Sequence, residues 1–389
     1  MSKWESMKLG SLGDFRTGGT PTRTRPEYFE GEIPWITTTS LGKPLIDESD
    51  AVEYISMEAI ENSSTKLISP NSIMVGIRVG VGKVSINLVP MCTSQDIISI
   101  ENINEEIVYK PFLVYCIKSY KNYFSSHKRG ATIQGISSAV LKSINIPLPP
   151  LETQKQIAKT LDTAAELLAM RKQQLAELDN LIKSIFYDMF GSESDFNRWE
   201  CTTIENVAKV TVGVVIKPAQ YYTQGPNGVK AFRSLNVGEM YVREESWVYF
   251  TPEGHLVHNK SVLKTGDVLI VRSGAPGTSC VVSEKYAGCN AIDIIIARPD
   301  INKIKPLYLC AFTNFPHGKN QIKMKTGGAA QQHINVGAYK AMTIPLPPLE
   351  LQTQFADIVT KIEEQKALVK KAIDETQYLF DSLMSQYFE

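Results

Sequence analysis

The sequence lacks the features that mark most secreted, membrane and metal-dependent proteins. Its six cysteines form no C-x-x-C pair, and no histidine stands at metal-ligand spacing from them, so neither a disulfide framework nor a zinc site is predicted. No apolar run reaches about 18 residues, which disfavours a membrane-spanning helix. No charged-then-apolar leader opens the chain. We therefore expect a cytoplasmic protein with reduced thiols.

An excess of either charge is also missing. The 389 residues include 41 Lys+Arg and 41 Asp+Glu, a balance that disfavours a nonspecific polyanion binder but permits local basic patches. The distribution is uneven, since residues 191–348 contain 17 basic and 12 acidic side chains, whereas residues 349–389 contain 4 and 8. The second half of the chain is thus predicted to hold a basic globular region followed by an acidic helix.

Catalytic motifs are nearly absent. The segment "GIRVGVGKV" beginning at Gly76 is rich in glycine, but Lys83 is followed by Val84, and the spacing of a phosphate-binding loop is missing. The only Pro-Pro pairs stand at 149–150 and 347–348, so the N/D-P-P-Y/F motif of amino-methyltransferases does not occur. The five histidines have no nucleophile or carboxylate at a recognisable spacing. These absences predict a chain that is not itself an enzyme and that binds no metal.

The most regular feature present is a segment that occurs twice. Residues 146–191 begin "IPLPPLETQKQIA", and residues 344–389 begin "IPLPPLELQTQFA". Each copy opens with a Pro-rich hook that cannot be helical and then continues for about forty residues without Pro or internal Gly. This pattern predicts two long helices with fixed starting points. At 1.5 Å per residue, a helix of about 38 residues is roughly 57 Å long.

Apolar residues recur along both predicted helices at heptad spacing. Such spacing predicts a coiled coil in which an apolar stripe of each helix, here called the seam, packs against the other. If a pseudo-twofold axis relates the two copies, the helices are antiparallel, and Arg171, Lys366 and Thr376 place polar groups in the seam. The predicted seam comprises Ile157, Leu161, Leu168, Leu175, Leu178, Ile182 and Ile185 in the first helix and Phe355, Val359, Ile362, Val369, Ile373, Phe380 and Leu383 in the second.

The repeat extends beyond the helices. "CTSQDIIS" at Cys92 aligns with "CNAIDIII" at Cys289, and "GATIQGI" at Gly130 aligns with "GAAQQHI" at Gly328. The chain therefore divides into a globular unit (1–145), a hook and helix (146–191), a second globular unit (192–343) and a second hook and helix (344–389). Short apolar runs separated by Gly, Pro and polar residues predict strands, with short helices near 110–124 and 306–315. We predict the α+β class, with each globular unit built on a twisted, largely antiparallel sheet.

Several loops contain side chains that suit nucleic acid. The stretch "FRTGGTPTRTRPEYF" from Phe15 has three Arg and four Thr in a region that Gly and Pro keep out of regular structure. Arg can donate two parallel hydrogen bonds to guanine, while Thr and backbone N–H groups suit phosphate. The candidate DNA contacts are Arg16, Thr17, Gly18, Gly19, Thr20, Thr22, Arg23, Arg25, Arg78, Lys83, Lys128, Arg129, Thr132 and Gln134 in the first unit, and Lys217, Arg233, Arg272, Lys323, Lys325, Gln331 and Gln332 in the second.

Structural alternatives stay open for these residues. The first stretch can be a solvated surface loop, and the two Gly-rich stretches near 130 and 328 can be turns ahead of packed strands. Arg78 and Arg272, which we expect to be equivalent residues at strand ends, can be partners in structural ion pairs.

The order of these motifs resembles a known family. The duplicated hook and helix, the "GGTP" segment followed by "IPWI" at Ile33, and "GATIQGI" followed by "IPLPPLETQKQIA" resemble the specificity (S) subunit of type I restriction-modification systems. The resemblance spans the whole chain. It departs in the second unit, where "VTVGVV" stands in place of "TGGTP". The resemblance implies two target recognition domains separated by an antiparallel coiled coil of two long conserved helices.

The resemblance also implies partners and a division of labour. Each domain would read one half of a bipartite, asymmetric target in double-stranded DNA, while the helices set the distance between the halves. Half-sites on one face of B-DNA lie roughly 34 Å apart, or a multiple of it. Two methyltransferase (M) subunits would bring S-adenosylmethionine and methylate adenine, and two restriction (R) subunits that use ATP and Mg²⁺ can join. This chain itself would bind no cofactor, and its expected location is the prokaryotic cytoplasm, in association with the nucleoid.

A coiled-coil scaffold or adaptor with protein-binding globular ends is the alternative function. The predicted helices alone do not exclude it, because a heptad seam is more often plain packing than a functional device.

Overall fold

The computed structural model describes residues 4–130, 134–192, 195, 198–215, 218–225, 227–325 and 333–388. The chain divides into two compact units. Unit 1 is Met1–Arg171 with Ala372–Glu389, and unit 2 is Lys172–Lys371. Each unit therefore contains one globular part and portions of both long helices. In the described ranges, no helix has the length and apolar character needed to cross a membrane.

Unit 1 contains two larger sheets and one short pair of strands. Most neighbouring strands are antiparallel, and each larger sheet includes one parallel pair. The order is Asp14–Thr17, Ile97–Glu101, Ile73–Gly76, Val84–Asn87 and Leu45–Ile46 in the five-stranded sheet, Glu53–Ile55, Ile33–Ile36, Met91–Thr93 and Leu67–Ile68 in the four-stranded sheet, and Ser6–Lys8 with Asn145–Pro147 in the pair. The helices of its globular part are Met57–Glu61, Lys110–Ser119, Lys121–Ser126 and Ser138–Ser143, with 3-10 turns at Leu9–Ser11, Pro26–Phe29 and Glu48–Asp50.

Unit 2 repeats this plan. The order is Ala208–Val212, Ile294–Pro299, Val268–Val271 and Ser279–Val281 in one sheet, Tyr222–Thr223, Val248–Phe250, Val229–Phe232 and Asn290–Ala291 in the other, and Cys201–Thr203 with Thr343–Pro345 in the pair. Its helices are Ile204–Val207, Pro252–Val257, Pro306–Asn314, Pro316–Lys325 and Val336–Lys340, with 3-10 turns at Pro218–Tyr221, Ser234–Asn236, Asn259–Ser261 and Glu284–Tyr286.

The central sheet is the five-stranded sheet in unit 1 and the sheet containing Val268–Val271 in unit 2, and each packs against other layers on both faces. Side chains alternate between the faces of a strand. Ile73 and Val75 pack in the core that contains the helix Lys110–Ser119. Met74 faces the opposite way and packs with Ile36 of the second sheet. Each globular part is thus a helix layer, a central sheet and a second sheet.

The α+β class is confirmed, but two local predictions were wrong. Each globular part holds two larger sheets where one was predicted, because second-sheet strands of two or three residues, such as Leu67–Ile68, are too short to show an alternating pattern. The helix predicted over 110–124 is two helices. Tyr120 leaves the helical conformation at ψ 10°, and its hydroxyl donates a hydrogen bond to the carbonyl oxygen of Asn145 at 2.5 Å.

Both Pro-rich hooks are strands that turn into helices. Asn145–Pro147 pairs with Ser6–Lys8, and Thr343–Pro345 pairs with Cys201–Thr203, both antiparallel. The long helices begin after the two prolines of each hook and cover Leu151–Phe190 and Leu349–Phe388, 40 residues each. Proline suits this junction because it has no backbone N–H to leave without a partner.

A buried glutamine holds each hook to its globular part. The Gln154 side chain accepts a hydrogen bond from the Tyr109 amide (2.8 Å) and donates to the carbonyl oxygens of Ile107 (3.0 Å) and Pro149 (2.8 Å). In unit 2, Gln352 accepts from the Lys305 amide and donates to the Pro347 carbonyl oxygen, both at 2.8 Å. Each glutamine side chain therefore joins a hook carbonyl to the loop that precedes the helix at 110 or 306.

All of the predicted seam residues lie on the two long helices, and none of them is exposed. In unit 1, Ile157 and Leu161 share a core with Phe380. In unit 2, Ile182 shares a core with Phe355. Within each unit the start of one long helix therefore lies beside the end of the other, which is the antiparallel arrangement.

Polar groups interrupt the seam at single positions. Arg171 donates to the carbonyl oxygen of Ala372 and to the Thr376 hydroxyl in unit 1. Lys366, only 2% exposed, lies 2.6 Å from Asp179 and 2.5 Å from Glu363 in unit 2. Burial alone would lower the pKa of Lys366, but the hydrogen bonds with these two carboxylates outweigh burial and raise that pKa. Isolated polar contacts of this kind fix helix register, at some cost in stability.

We expect Gln154→Leu to destabilise unit 1 by about 2–4 kcal/mol, because three buried or partly buried backbone groups lose a partner worth about 1 kcal/mol or more each. Denaturant unfolding of the full chain, with hydrogen exchange in unit 1 as a local probe, measures the change. Gln156→Leu is the matched control, since Gln156 is exposed on the same helix. Equal stability of the two variants would contradict a structural role for the buried glutamine.

Candidate nucleic-acid interface

Two loops of unit 1 that lie far apart in the sequence come together beside the central sheet. The Ile136 amide donates to the carbonyl oxygen of Ile77 at 2.7 Å, and Arg129 and Gly135 exchange backbone hydrogen bonds of 2.8 and 3.0 Å. A Cβ on Gly135 would lie 2.7 Å from the Ile77 carbonyl oxygen, so the close approach requires glycine. Arg78 and Arg129 line the resulting groove of about 370 Å³.

The other predicted contacts on these loops differ in exposure and in partners. Lys128 and Gln134 are exposed next to Arg129 and Gly135. The Arg78 guanidinium is half exposed and lies 3.4 Å from Asp96. Lys83 donates to the carbonyl oxygen of Thr38 at 3.3 Å. Thr132, also predicted as a DNA contact, lies outside the described residues.

The glycines of the loop that begins at Phe15 are structural. Gly18 and Gly19 are buried, and their amides donate to the carbonyl oxygens of Ile97 (3.2 Å) and Thr93 (2.8 Å). A Cβ on Gly18 would lie 2.1 Å from the Thr93 hydroxyl oxygen. The backbone of this loop is thus fastened to the sheet.

The arginines of the same loop are about half exposed and already have partners. Arg16 forms an ion pair with the buried carboxylate of Glu101 at 2.5 Å. Arg23 forms a two-bond pair with Glu53 at 2.8 and 2.7 Å, and the hydrogen bond from Arg23 is the main cause that lowers the pKa of Glu53. Arg25 donates to the Tyr28 hydroxyl at 3.1 Å.

The threonines of this loop form side-chain hydrogen bonds or remain at the surface. Thr20 donates to the Gln95 side chain. Thr22 and Thr24 share a hydrogen bond of 2.9 Å. Thr17 is the exposed last residue of the strand Asp14–Thr17.

Unit 2 brings the matching loops together with different side chains. The Ile334 amide donates to the carbonyl oxygen of Arg272 at 3.0 Å, which is the bond that Ile136 makes to Ile77 in unit 1. The predicted equivalence of Arg78 and Arg272 was therefore wrong by one residue. Arg272 occupies the position of Ile77, and Ser273 occupies the position of Arg78. The sequence alignment of the two copies could not resolve this one-residue shift, because both loops are rich in glycine.

Arg272 is held inside unit 2. Its side chain is 13% exposed and forms an ion pair with Asp293. It also lies 2.9 Å from one ring nitrogen of His333, whose other ring nitrogen lies 2.7 Å from the Ser273 hydroxyl. This network fits the structural ion-pair alternative for Arg272.

The remaining predicted contacts of unit 2 are spread over three places. Arg233 donates to the carbonyl oxygen of Ser246 at 2.5 Å. Lys323 and Lys325 are exposed in the last turn of the helix Pro316–Lys325. Lys217, Gln331 and Gln332 lie outside the described residues.

Sequence reasoning missed the carboxylates that hold these arginines. Asp96 contacts Arg78, and Asp293 contacts Arg272. Both stand in the repeated segments that begin at Cys92 and Cys289, so the alignment of the two copies contained the signal. One glycine also keeps its place in the divergent unit, since Gly213 donates to Ile294 as Gly18 donates to Ile97.

Neither unit presents a metal centre in the ranges that could be described, since no group of three or more His, Cys, Asp or Glu residues is placed to hold an ion. The buried thiols of Cys116 and Cys280 have pKa values raised well above the ordinary range by burial. Such thiols stay protonated and are poor nucleophiles.

Comparison with known proteins agrees with the repeated architecture. The family model of the type I restriction modification DNA specificity domain matches residues 1–180 and 233–377. The MjaVIII specificity subunit of Methanocaldococcus jannaschii is 24% identical over 403 aligned residues, which cover 98% of this chain and 91% of that protein. The EcoKI specificity subunit of Escherichia coli K12 is 23% identical, with 92% of this chain and 82% of that protein covered.

The fold is also similar to a solved structure. The crystal structure of the type I restriction-modification S subunit from M. genitalium matches with a TM-score of 0.59 and 17% identity, covering 100% of this chain and 96% of that one. Because the family model matches most of the sequence in two segments, this chain belongs to the family of type I restriction modification DNA specificity domains.

Proposed function

We propose that this chain reads a bipartite, asymmetric DNA target, with one half-site recognised by the globular part of each unit. The observation that carries the proposal is the duplicated loop junction. Ile136 bonds to Ile77 in unit 1 and Ile334 bonds to Arg272 in unit 2, so the backbone frame is the same while the side chains differ. Different side chains on one frame suit the reading of two different sequences.

In unit 1 the residues proposed to face DNA surround the groove between Arg78 and Arg129. An arginine side chain that is half exposed, such as Arg78, can reach a guanine edge, and Gln134 can pair with adenine. Lys128 suits a phosphate. The weak 3.4 Å contact of Arg78 with Asp96 leaves the guanidinium able to exchange this carboxylate for a base.

The long helices are proposed to fix the distance between the half-sites and to present docking surfaces for two methyltransferase subunits. Glu166 and Glu364 occupy matching positions in the two copies, and both are exposed. Glu363, by contrast, is engaged with Lys366. We therefore assign the outward docking charge to Glu166 and Glu364. The methyltransferase subunits would bring S-adenosylmethionine for transfer to adenine, and restriction subunits would bring ATP and Mg²⁺. This chain would supply recognition and no catalytic group.

Selection from random-sequence duplexes by the full chain, with and without its methyltransferase partner, tests the recognition proposal. We expect enrichment of two short motifs separated by an unread spacer. Arg129→Gln should relax one motif by about 1–3 kcal/mol per lost base contact and leave the other unchanged. Lys121→Gln, at an exposed lysine of the same unit, is the control. Failure to enrich any bipartite motif would favour a scaffold that binds protein.

Lengthening both helices tests the spacer proposal. One heptad inserted after Gln174 and one after Lys370 leaves the Arg171 and Lys366 contacts in place. Seven residues add about 10 Å of helix, so the selected spacer should grow by up to about three base pairs. The control variant carries substitutions at seven exposed positions of the long helices and keeps their original length. An unchanged spacer length in the target selected by the lengthened variant would contradict the proposal.

A further inference from the structure

Unit 2 has a positively charged groove, and no predicted DNA contact that the structure describes lines it. The groove has a volume of about 650 Å³, and its charged lining residues are Lys209, Lys260, Lys264 and Arg298. No carboxylate is among its described lining residues. Thr211 and Asn259 add a hydroxyl and an amide to the lining, and both groups can donate hydrogen bonds to an anion.

Strand register explains why these side chains converge. Ala208–Val212 is the edge strand of its sheet, and Lys209 pairs with Arg298 in the antiparallel ladder. Residues two apart on a strand point to the same face, so Thr211 lies on the same face as Lys209. The segment from Asn259 to Lys264 forms the opposite wall of the groove.

Three of the four cations keep an uncompensated charge. Arg298 is neutralised by Asp267, a carboxylate 1% exposed that accepts two hydrogen bonds of 2.7 Å from it. Lys209, Lys260 and Lys264 are exposed, and none of them has an ion-pair partner among the residues that the structure describes. Like charges gathered on one surface attract a polyanion.

Unit 1 has the opposite charge at the matching ladder position. There Asp14 pairs with Glu101 on adjacent strands. Among the described residues, Arg16 alone forms an ion pair with either carboxylate, and its partner is Glu101. The groove is therefore a property of unit 2 and not of the shared fold.

The charged pair Lys209 and Arg298 of this groove lies at the end of the central sheet that is remote from the Arg272 loop. Val271 pairs with Ile294 at the end that leads into the Arg272 loop, whereas Val268 pairs with Ala297 at the other end, next to Arg298. Four strand residues span roughly 13 Å. A duplex whose bases meet the Arg272 loop would present to these cations the backbone that flanks the bases being read.

We propose that this groove binds phosphates of DNA flanking the half-site of unit 2, without regard to sequence. The inference rests on the proposed function for the identity of the polyanion. Lysine, hydroxyl and amide groups are among the side chains that contact phosphate in protein–DNA complexes, and three lysines at a surface groove suit successive phosphates better than a single small anion.

The test uses the full chain with Lys209, Lys260 and Lys264 all changed to Gln, and a matched variant with all three changed to Arg. Binding to the selected target and to a scrambled duplex is measured against salt concentration. The Gln variant should bind both duplexes more weakly, with the slope of log K against log salt reduced by about 2–3. The Arg variant should keep the slope, and both variants should select the same motif.

A second arm locates the contact. Targets end either at the half-site of unit 2 or about one helical turn beyond it, and a matched pair of duplexes varies the flank of unit 1. The unmodified chain should bind more tightly to the duplex with the longer flank on the side of unit 2. The Gln variant should lose this difference in affinity and should respond to the flank of unit 1 as the unmodified chain does.

Three outcomes overturn the inference or separate it from the proposed function. An unchanged salt slope in the Gln variant overturns the inference. If light scattering also shows that the Gln variant aggregates, the role of the lysines is to protect a sheet edge from pairing with other chains. Charge-dependent binding of an acidic peptide without an effect on DNA overturns it in favour of a protein partner. If the unmodified chain selects no motif while the Gln variant still lowers the salt slope, the phosphate groove stands and the proposed base recognition fails.

Discussion

The fold depends on the hydrogen bonds of two buried glutamines. Gln154 and Gln352 satisfy backbone groups at the point where each hook strand turns into a long helix. Carbonyl oxygens there would otherwise be buried without a donor, at a cost of about 1–3 kcal/mol each. Each hook also pairs with the first strand of its unit, so the glutamine bonds and this pairing together set where the helix starts relative to the central sheet.

A shared frame with divergent surfaces follows from that constraint. Backbone bonds such as those of Gly18 and Gly213, or of Ile136 and Ile334, are the same in both units. Side chains that leave the frame differ, as Arg78 is replaced by Ser273 and the Asp14–Glu101 position by Lys209 and Arg298. Main-chain hydrogen bonds do not depend on which side chain a residue carries. The surfaces can therefore change while the packing of each unit stays intact.

The sequence was sufficient to predict features that rest on local pattern. The long helices, their heptad seams and the non-helical hooks follow from spacing and from proline alone. Contacts between distant segments were not predictable in this way. The pairing of Arg16 with Glu101 depends on which strands become neighbours, and the register of Arg272 depends on a single backbone bond. The lysine groove joins an edge strand to a loop about fifty residues further along the chain, a distance at which periodicity contains no information.

The most direct measurement is the sequencing of methylated adenines in DNA from cells that express this chain with its methyltransferase partner. Recognition by two different loop sets on a common frame predicts one bipartite, asymmetric methylated motif that disappears when the chain is deleted. A motif that is contiguous, or a pattern of methylation that does not change on deletion, would contradict it.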